Sequence, residues 1–274
     1  METTPTHFWH RMTHSALGKT LKLERSTMLT LPIWPLLWGF ISAEEAQYMY
    51  MLPAILFILT LRWFFYNVID LMPTDDTTMR THGSTFSAIV SFIITLGLAY
   101  YLGGVVLFLC LLWMVTFGIY QIIYSDTWWP HVSHGIFFGV FPVLIGNASA
   151  QDMSFAIIWP MIAGFFWVTS IEMMRAGTAL DDDKHEHLGV VNDILGKWKI
   201  SYSSLCFACA LAFLVIAGLF AHAEGYYYVG LMITQALMMT SLRKMDTSPE
   251  AAAVCFYTYS AYAGLVVSLT FLAL

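Results

Sequence analysis

Carboxylates gather at two places in this 274-residue chain: Asp70, Asp75 and Asp76 follow one apolar run, and Asp181, Asp182, Asp183, Glu186 and Asp193 follow another. Oxygen ligands suit Mg2+, which binds through one or two carboxylates together with phosphate oxygens, so the clusters could hold a metal and, through it, a polyphosphate. The same residues also read as solvated loop charges at helix ends. Arg62 and Glu172 stand inside apolar runs instead. Charges there are costly and face a cavity or a partner, which makes them an expected intramembrane ion pair or a pair of substrate contacts. His185-Glu186-His187 lacks the i,i+4 spacing of a helical zinc motif, and His131 and His134 read as interfacial packing ahead of an apolar run. Cys110, Cys206, Cys209 and Cys255 all lie in apolar stretches, so neither a disulfide framework nor a zinc site is expected.

The elements that must position these groups are membrane helices. Hydrophobic residues make up 58% of the chain and charged ones 11%, with a mean hydropathy of +0.68. A soluble globule carries about 25% charged residues, so that class is excluded. Apolar runs separated by polar interruptions place spans near 28–43, 49–69, 84–102, 104–123, 132–147, 154–174, 203–221, 226–241 and 255–273. The expected architecture is all-α: residues 1–27 form an N-terminal cytoplasmic or matrix segment, and 28–274 a single nine-helix transmembrane domain. Pro32, Pro35, Pro53, Pro142 and Pro160 fall inside the runs, where neighbouring helices can satisfy the freed backbone groups. The alternation of a β-barrel is absent. The first twenty residues lack the apolar centre of a signal peptide, so no removable targeting segment is expected.

With these spans, 11 of the 12 basic residues fall on one side, in the N-terminal segment and the stretches 70–83, 124–131, 175–202 and 242–254. The opposite connections hold no Lys or Arg. By the positive-inside rule the N-terminus lies on the cytoplasmic or matrix side and the C-terminus outside. Both carboxylate clusters then share the basic side, facing one another across the mouth of a pocket. The net charge of −6 therefore matters less than where the charges sit. Nothing in the pattern points to nucleic acid.

Four blocks along the chain resemble the UbiA superfamily of intramembrane prenyltransferases, and most closely the 4-hydroxybenzoate polyprenyltransferases of ubiquinone synthesis. Lys22-Leu23-Glu24-Arg25 followed by Trp34-Pro35-Leu36-Leu37-Trp38 is similar to the family's charged entry and WPxxW. Asn67, Asp75 and Arg80-Thr81 keep the offsets of its NDxxDxxxD motif and the Arg-Thr beyond it. Tyr120, Thr127, Trp129, Pro130 and Gly135 are similar to its YPFxKRxTxWPQxxxG loop, and Asp181-Asp182-Asp183 before Gly189-Val190 to its second aspartate motif. The resemblance implies Mg2+ on the aspartates, a prenyl diphosphate bridged by that metal, an isoprenoid groove open to lipid, and alkylation of an aromatic acceptor. It makes Asp70, Asp75, Asp181 and Asp183 the metal and diphosphate residues, and Arg62, Asn67, Arg80, Tyr120, Tyr124 and Glu172 the substrate pocket.

The departures fall on the charged positions. Val68 and Leu71 stand where the first motif has aspartates, and Asp70 is displaced by one residue, a rotation of ~100° on a helix. Tyr124-Ser125 replaces a Lys-Arg pair, His185 an aspartate, Met174 an earlier aspartate, and Val191 a lysine. A leaving diphosphate needs fixed cations or metal aimed at its developing charge, and loss of one such donor can cost ~10²–10³ in rate. The expectation is a non-catalytic homologue serving as a structural or lipid- and quinone-binding subunit of an inner-membrane assembly, such as a respiratory one. The alternative is an active Mg2+-dependent polyprenyltransferase acting on 4-hydroxybenzoate or a similar acceptor; a transporter is a distant third. Expected partners are the bilayer, other membrane subunits, and an isoprenoid or quinone. The expected location is the mitochondrial inner membrane or the bacterial cytoplasmic membrane.

Overall fold

The computed structural model describes residues 32–43, 46–71, 82–123, 130–150, 155–178, 199–245, 260 and 262–270, and no strand occurs among them. The helices are α1 (Ile33–Ile41), α2 (Met51–Leu71), α3 (His82–Leu102), α4 (Gly104–Ile123), α5 (Pro130–Gly135), α6 (Phe141–Ser149), α7 (Ile158–Thr178), α8 (Lys199–Phe220) and α9 (Gly225–Met245). Residues 262–270 are also helical. A five-residue π-turn, Ile136–Val140, joins α5 to α6. Each expected apolar interval holds helix. Among the described residues, five stretches are long and apolar enough to cross a membrane: Tyr48–Val68, Thr85–Leu102, Val132–Ser149, Phe155–Met173 and Ser201–Phe220, with Gly104–Tyr120 a shorter apolar helix.

Helix ends follow from local chemistry. Pro32 precedes α1 and Pro53 sits in the first turn of α2, where the missing N–H has no intrahelical partner to lose. A single residue, Gly103, reverses the chain between α3 and α4 at φ 124°, a conformation only glycine adopts without strain. Its N–H is directed at the carbonyls of Ala99 and Tyr100. Buried hydroxyls fold back onto their own helices, as Thr95 does to the Ser91 carbonyl at 2.7 Å. Such bonds keep polar side chains satisfied where water is absent.

Packing relies on close backbone approach as well as on large rings. A Cβ on Gly39 of α1 would collide with the Val143 carbonyl of α6, and one on Gly146 with the Leu36 carbonyl of α1. Lipid tails are as apolar as the helices, so association depends on van der Waals contact and interhelical hydrogen bonds, which small residues permit. Asn147 adds one such bond, its Nδ2 donating to the Gly39 carbonyl at 3.2 Å. Elsewhere α3 lies along α2 and α8 along α7. Aromatic pairs fill the centre, including Trp38 edge-on to Trp167 at 5.2 Å and Phe65 stacked on Phe117 at 4.1 Å. Large apolar side chains also cover the outside, among them Phe86, Ile93 and Tyr100 on α3. A chain that is apolar both inside and out is solvated by lipid.

Candidate functional site

Arg62 and Tyr66 stand one turn apart on α2, the i,i+4 spacing that brings side chains together. Arg62 Nη2 donates to the Tyr66 hydroxyl at 2.8 Å. The guanidinium carbon lies 5.3 Å from the centre of the Tyr66 ring and 5.1 Å from that of Phe138. Only 3% of Arg62 is exposed. A cation desolvated against aromatic faces gains about 2 kcal/mol from the ring quadrupoles, which partly offsets its burial.

Phe138 comes from the π-turn. Gly135 at one end of the turn sits against Thr169 and Phe165 of α7, and Gly139 within it against the Gly164 backbone. With that side held on α7, Phe137 and Phe138 reach the other helices. Phe137 packs 5.4 Å from Phe117 and 5.5 Å from Tyr120, while Phe138 meets Trp113 at 6.3 Å and His134 at 5.5 Å. π-turns inside helices occur often at functional sites.

Asn67, Tyr120 and Glu172 also lie on the described helices. Asn67 is buried on α2, its Nδ2 donating to the Trp63 carbonyl at 2.8 Å. Tyr120 on α4 is half-buried and hydrogen-bonded to the Ser133 side chain. Glu172 is buried on α7. Just before it, Ser170 and Ser203 of α8 exchange bonds, each hydroxyl donating to the other's carbonyl at 2.9 Å, with the two oxygens 3.0 Å apart.

One expectation needs correction. Asp70 was placed in the loop after the second span, yet α2 continues through Leu71, so Asp70 belongs to the helix. The one-residue displacement from the position of Leu71 is therefore a rotation of ~100° about a continuous helix. Asp75, Arg80, Tyr124, Asp181 and Asp183 lie outside the described residues. Among the described residues no three His, Cys, Asp or Glu side chains group as metal ligands. The sequence reading missed Tyr66 and Phe138. The i,i+4 offset from Arg62 could have flagged Tyr66, whereas Phe138 depends on a π-turn that hydrophobic periodicity does not signal.

Residues 73–266 match the UbiA prenyltransferase family. No curated protein matches the sequence. Among solved structures, a UbiA homologue from Aeropyrum pernix K1 in its apo form superposes with a TM-score of 0.68 at 15% identity, covering 90% of this chain and 97% of that one. A UbiA homologue from Archaeoglobus fulgidus bound to Cd2+ gives 0.64 at 14%, covering 91% and 99%. A digeranylgeranylglyceryl phosphate synthase gives 0.60 at 13%, covering 93% and 97%. At such identities the likeness establishes the fold.

Proposed function

Because the chain belongs to the UbiA prenyltransferase family, we propose that it is a non-catalytic member, which keeps the membrane bundle as a structural or lipid- and quinone-binding component of an inner-membrane assembly. The observation that carries this reading is the state of α2. Asn67 opens the first motif and is buried, but the next motif position on the same helix is Val68, and the one after it is Leu71. Arg62, a turn earlier, is engaged by the Tyr66 hydroxyl and two ring faces. A departing diphosphate must be met by metal and fixed cations already aimed at the developing charge. Apolar side chains at two motif positions, together with Tyr124-Ser125 in place of a cationic pair, favour a bundle that holds an apolar ligand. The one-sided basic residues support an N-terminus on the matrix or cytoplasmic side, and the reading takes the bundle as a nine-crossing one in a mitochondrial inner or bacterial cytoplasmic membrane.

The second reading is an active enzyme, favoured by the burial of Arg62, Asn67 and Glu172 in one bundle and by the retention of Asp75 and Asp181. Asp70, Asp75, Asp181 and Asp183 would then hold Mg2+, which would neutralise the diphosphate, while Arg62 or Arg80 met its outer oxygens. The test is transfer of a radiolabelled polyprenyl diphosphate to 4-hydroxybenzoate by the purified protein, with Mg2+ and with EDTA. A D75A/D181A double variant runs alongside. No turnover, with a catalytic homologue active in parallel, is the expected outcome. Mg2+-dependent product that vanishes in the double variant would overturn it.

A further inference from the structure

We infer that the outward face of α9 is an interface with a second copy of this chain, closed by Gln235 bonding to its own counterpart. The inference makes no use of α2 or its motif, so it stands apart from the proposed function. α9 turns back on α8, which carries the apolar stretch Ser201–Phe220. Near the start of α9, the Tyr227 hydroxyl donates to the Leu214 carbonyl of α8 at 2.7 Å. The 21 residues of α9 reach about 30 Å at ~1.5 Å per residue, the thickness of the hydrocarbon core of a bilayer. Gln235 is the middle residue, furthest from water at either end.

The two faces of α9 differ. Tyr227, Gly230, Leu231, Thr234 and Met238 are buried. On that side Gly230 abuts Thr270, and Thr234 Oγ1 donates to the Ala263 carbonyl at 3.4 Å. Gln235 points ~100° further round the helix and is exposed, as are Met232, Ala236 and Met239 beside it. Hydroxyls on these helices satisfy themselves, as Thr240 does at 2.7 Å to the Ala236 carbonyl and Thr116 at 2.8 Å to that of Leu112. The Gln235 carboxamide has no hydrogen-bond partner among the described residues. Lipid tails offer none, and an unpaired amide in hydrocarbon is costly.

The occupant follows from the chemistry of the amide. A glutamine side chain both donates and accepts, so it is its own complement. Two copies inserted in one orientation pair about a two-fold axis along the membrane normal, and a residue at the crossing of the two α9 helices then meets itself at its own depth. Each Gln235 gives an Nε2 hydrogen to the other's Oε1, and one contact satisfies both amides. An apolar partner helix would leave them unpaired. Ala236, next to the amide, admits close backbone approach. Met232 and Met239, about one turn to either side, are unbranched side chains of the kind that fill irregular gaps.

The test is sedimentation equilibrium of the full chain in a density-matched neutral detergent, with the dissociation constant expressed as a protein-to-detergent mole ratio. Wild type, Q235L, Q235N and T116V are compared. Q235L keeps the size of the side chain and suits lipid, whereas Q235N keeps the amide on a shorter stem. T116V removes a hydroxyl of α4 that is satisfied on its own helix. The expected result is a monomer–dimer equilibrium for wild type and a dissociation constant about tenfold higher for Q235L, the scale of an interhelical polar contact in lipid. Q235N should fall between them, and T116V should match wild type. A wild type that is monomeric at every ratio would overturn the second copy as partner. Equal constants for wild type and Q235L, or an equal rise in T116V, would overturn the role of the amide, and assembly beyond a dimer would overturn the two-fold pairing. Prenyl transfer is not read, so the outcome is independent of whether the chain turns over substrate.

Discussion

The crossing of α1 and α6 offers a sharp test of what holds this bundle together. In G146A the new methyl would meet the Leu36 carbonyl and approach the Phe40 nitrogen to 2.9 Å, and both obstacles are backbone. No rotamer change can relieve the clash, so α1 must move away along its contact with α6, and the Asn147 bond to the Gly39 carbonyl lengthens with it. Overpacking a tight core costs about 1–3 kcal/mol. The backbone obstacle and the coupled hydrogen bond place G146A at the upper end, about 3 kcal/mol, or roughly 150-fold in the unfolding equilibrium. G97A is the matched control, because a Cβ there meets nothing within 4 Å. Replacing glycine by alanine in an unobstructed helix gains about 0.5–1 kcal/mol. The assay is unfolding of the purified protein in mixed micelles, followed by tryptophan emission. Equal midpoints for G146A and G97A would refute the argument that the α1–α6 crossing depends on backbone contact. G39A/G146A should also cost less than the sum of the single variants, because both probe one interface and the first displacement makes room for the second methyl.

Three further outcomes follow from single contacts. S170A and S203A should each lower stability by about 1 kcal/mol, with the double variant near the sum, because each hydroxyl donates its own bond between α7 and α8; a mixed-micelle double-variant cycle checks this. Y227F removes the 2.7 Å bond to the Leu214 carbonyl and leaves that acceptor buried, costing about 1–2 kcal/mol by the same unfolding assay. G103A forces a Cβ into φ 124° between two helices and should cost about 1–3 kcal/mol, whereas G104A, at an unobstructed position one residue later, should not.

Much of the scaffold could be read from hydropathy. The interval 104–123 coincides with Gly104–Ile123, and 84–102 falls within His82–Leu102. Agreement is poorest where side-chain polarity and backbone geometry part company. Asp70 marked the end of an apolar run, yet backbone bonding continues through Leu71, because a helix end needs no apolar side chain. The site was legible residue by residue but not as an arrangement. Arg62 stood out as a charge in an apolar run, and burial bears out that it lies in the interior. That Phe138 lies over it depends on a π-turn and on two glycines set against α7, and neither gives a periodic signal.

The packing of the described helices rests on residues other than carboxylates. The residues that fix the helices are glycines at backbone contacts, rings in the centre and hydroxyls bonded within or between helices, and few of them belong to the aspartate motifs. Trp38, the second tryptophan of the first block, is fully buried edge-on to Trp167. Gly135, the last residue of the third block, seats the π-turn on α7. Both residues have a packing role in this structure. Val68 is half-buried on α2, so an apolar side chain there adds to lipid or core contact without disturbing a neighbour. A carboxylate at that position would carry a burial cost that valine does not. Among the described residues, the frame is thus held by small residues, rings and hydroxyls, so a substitution at a carboxylate should leave the helix packing in place.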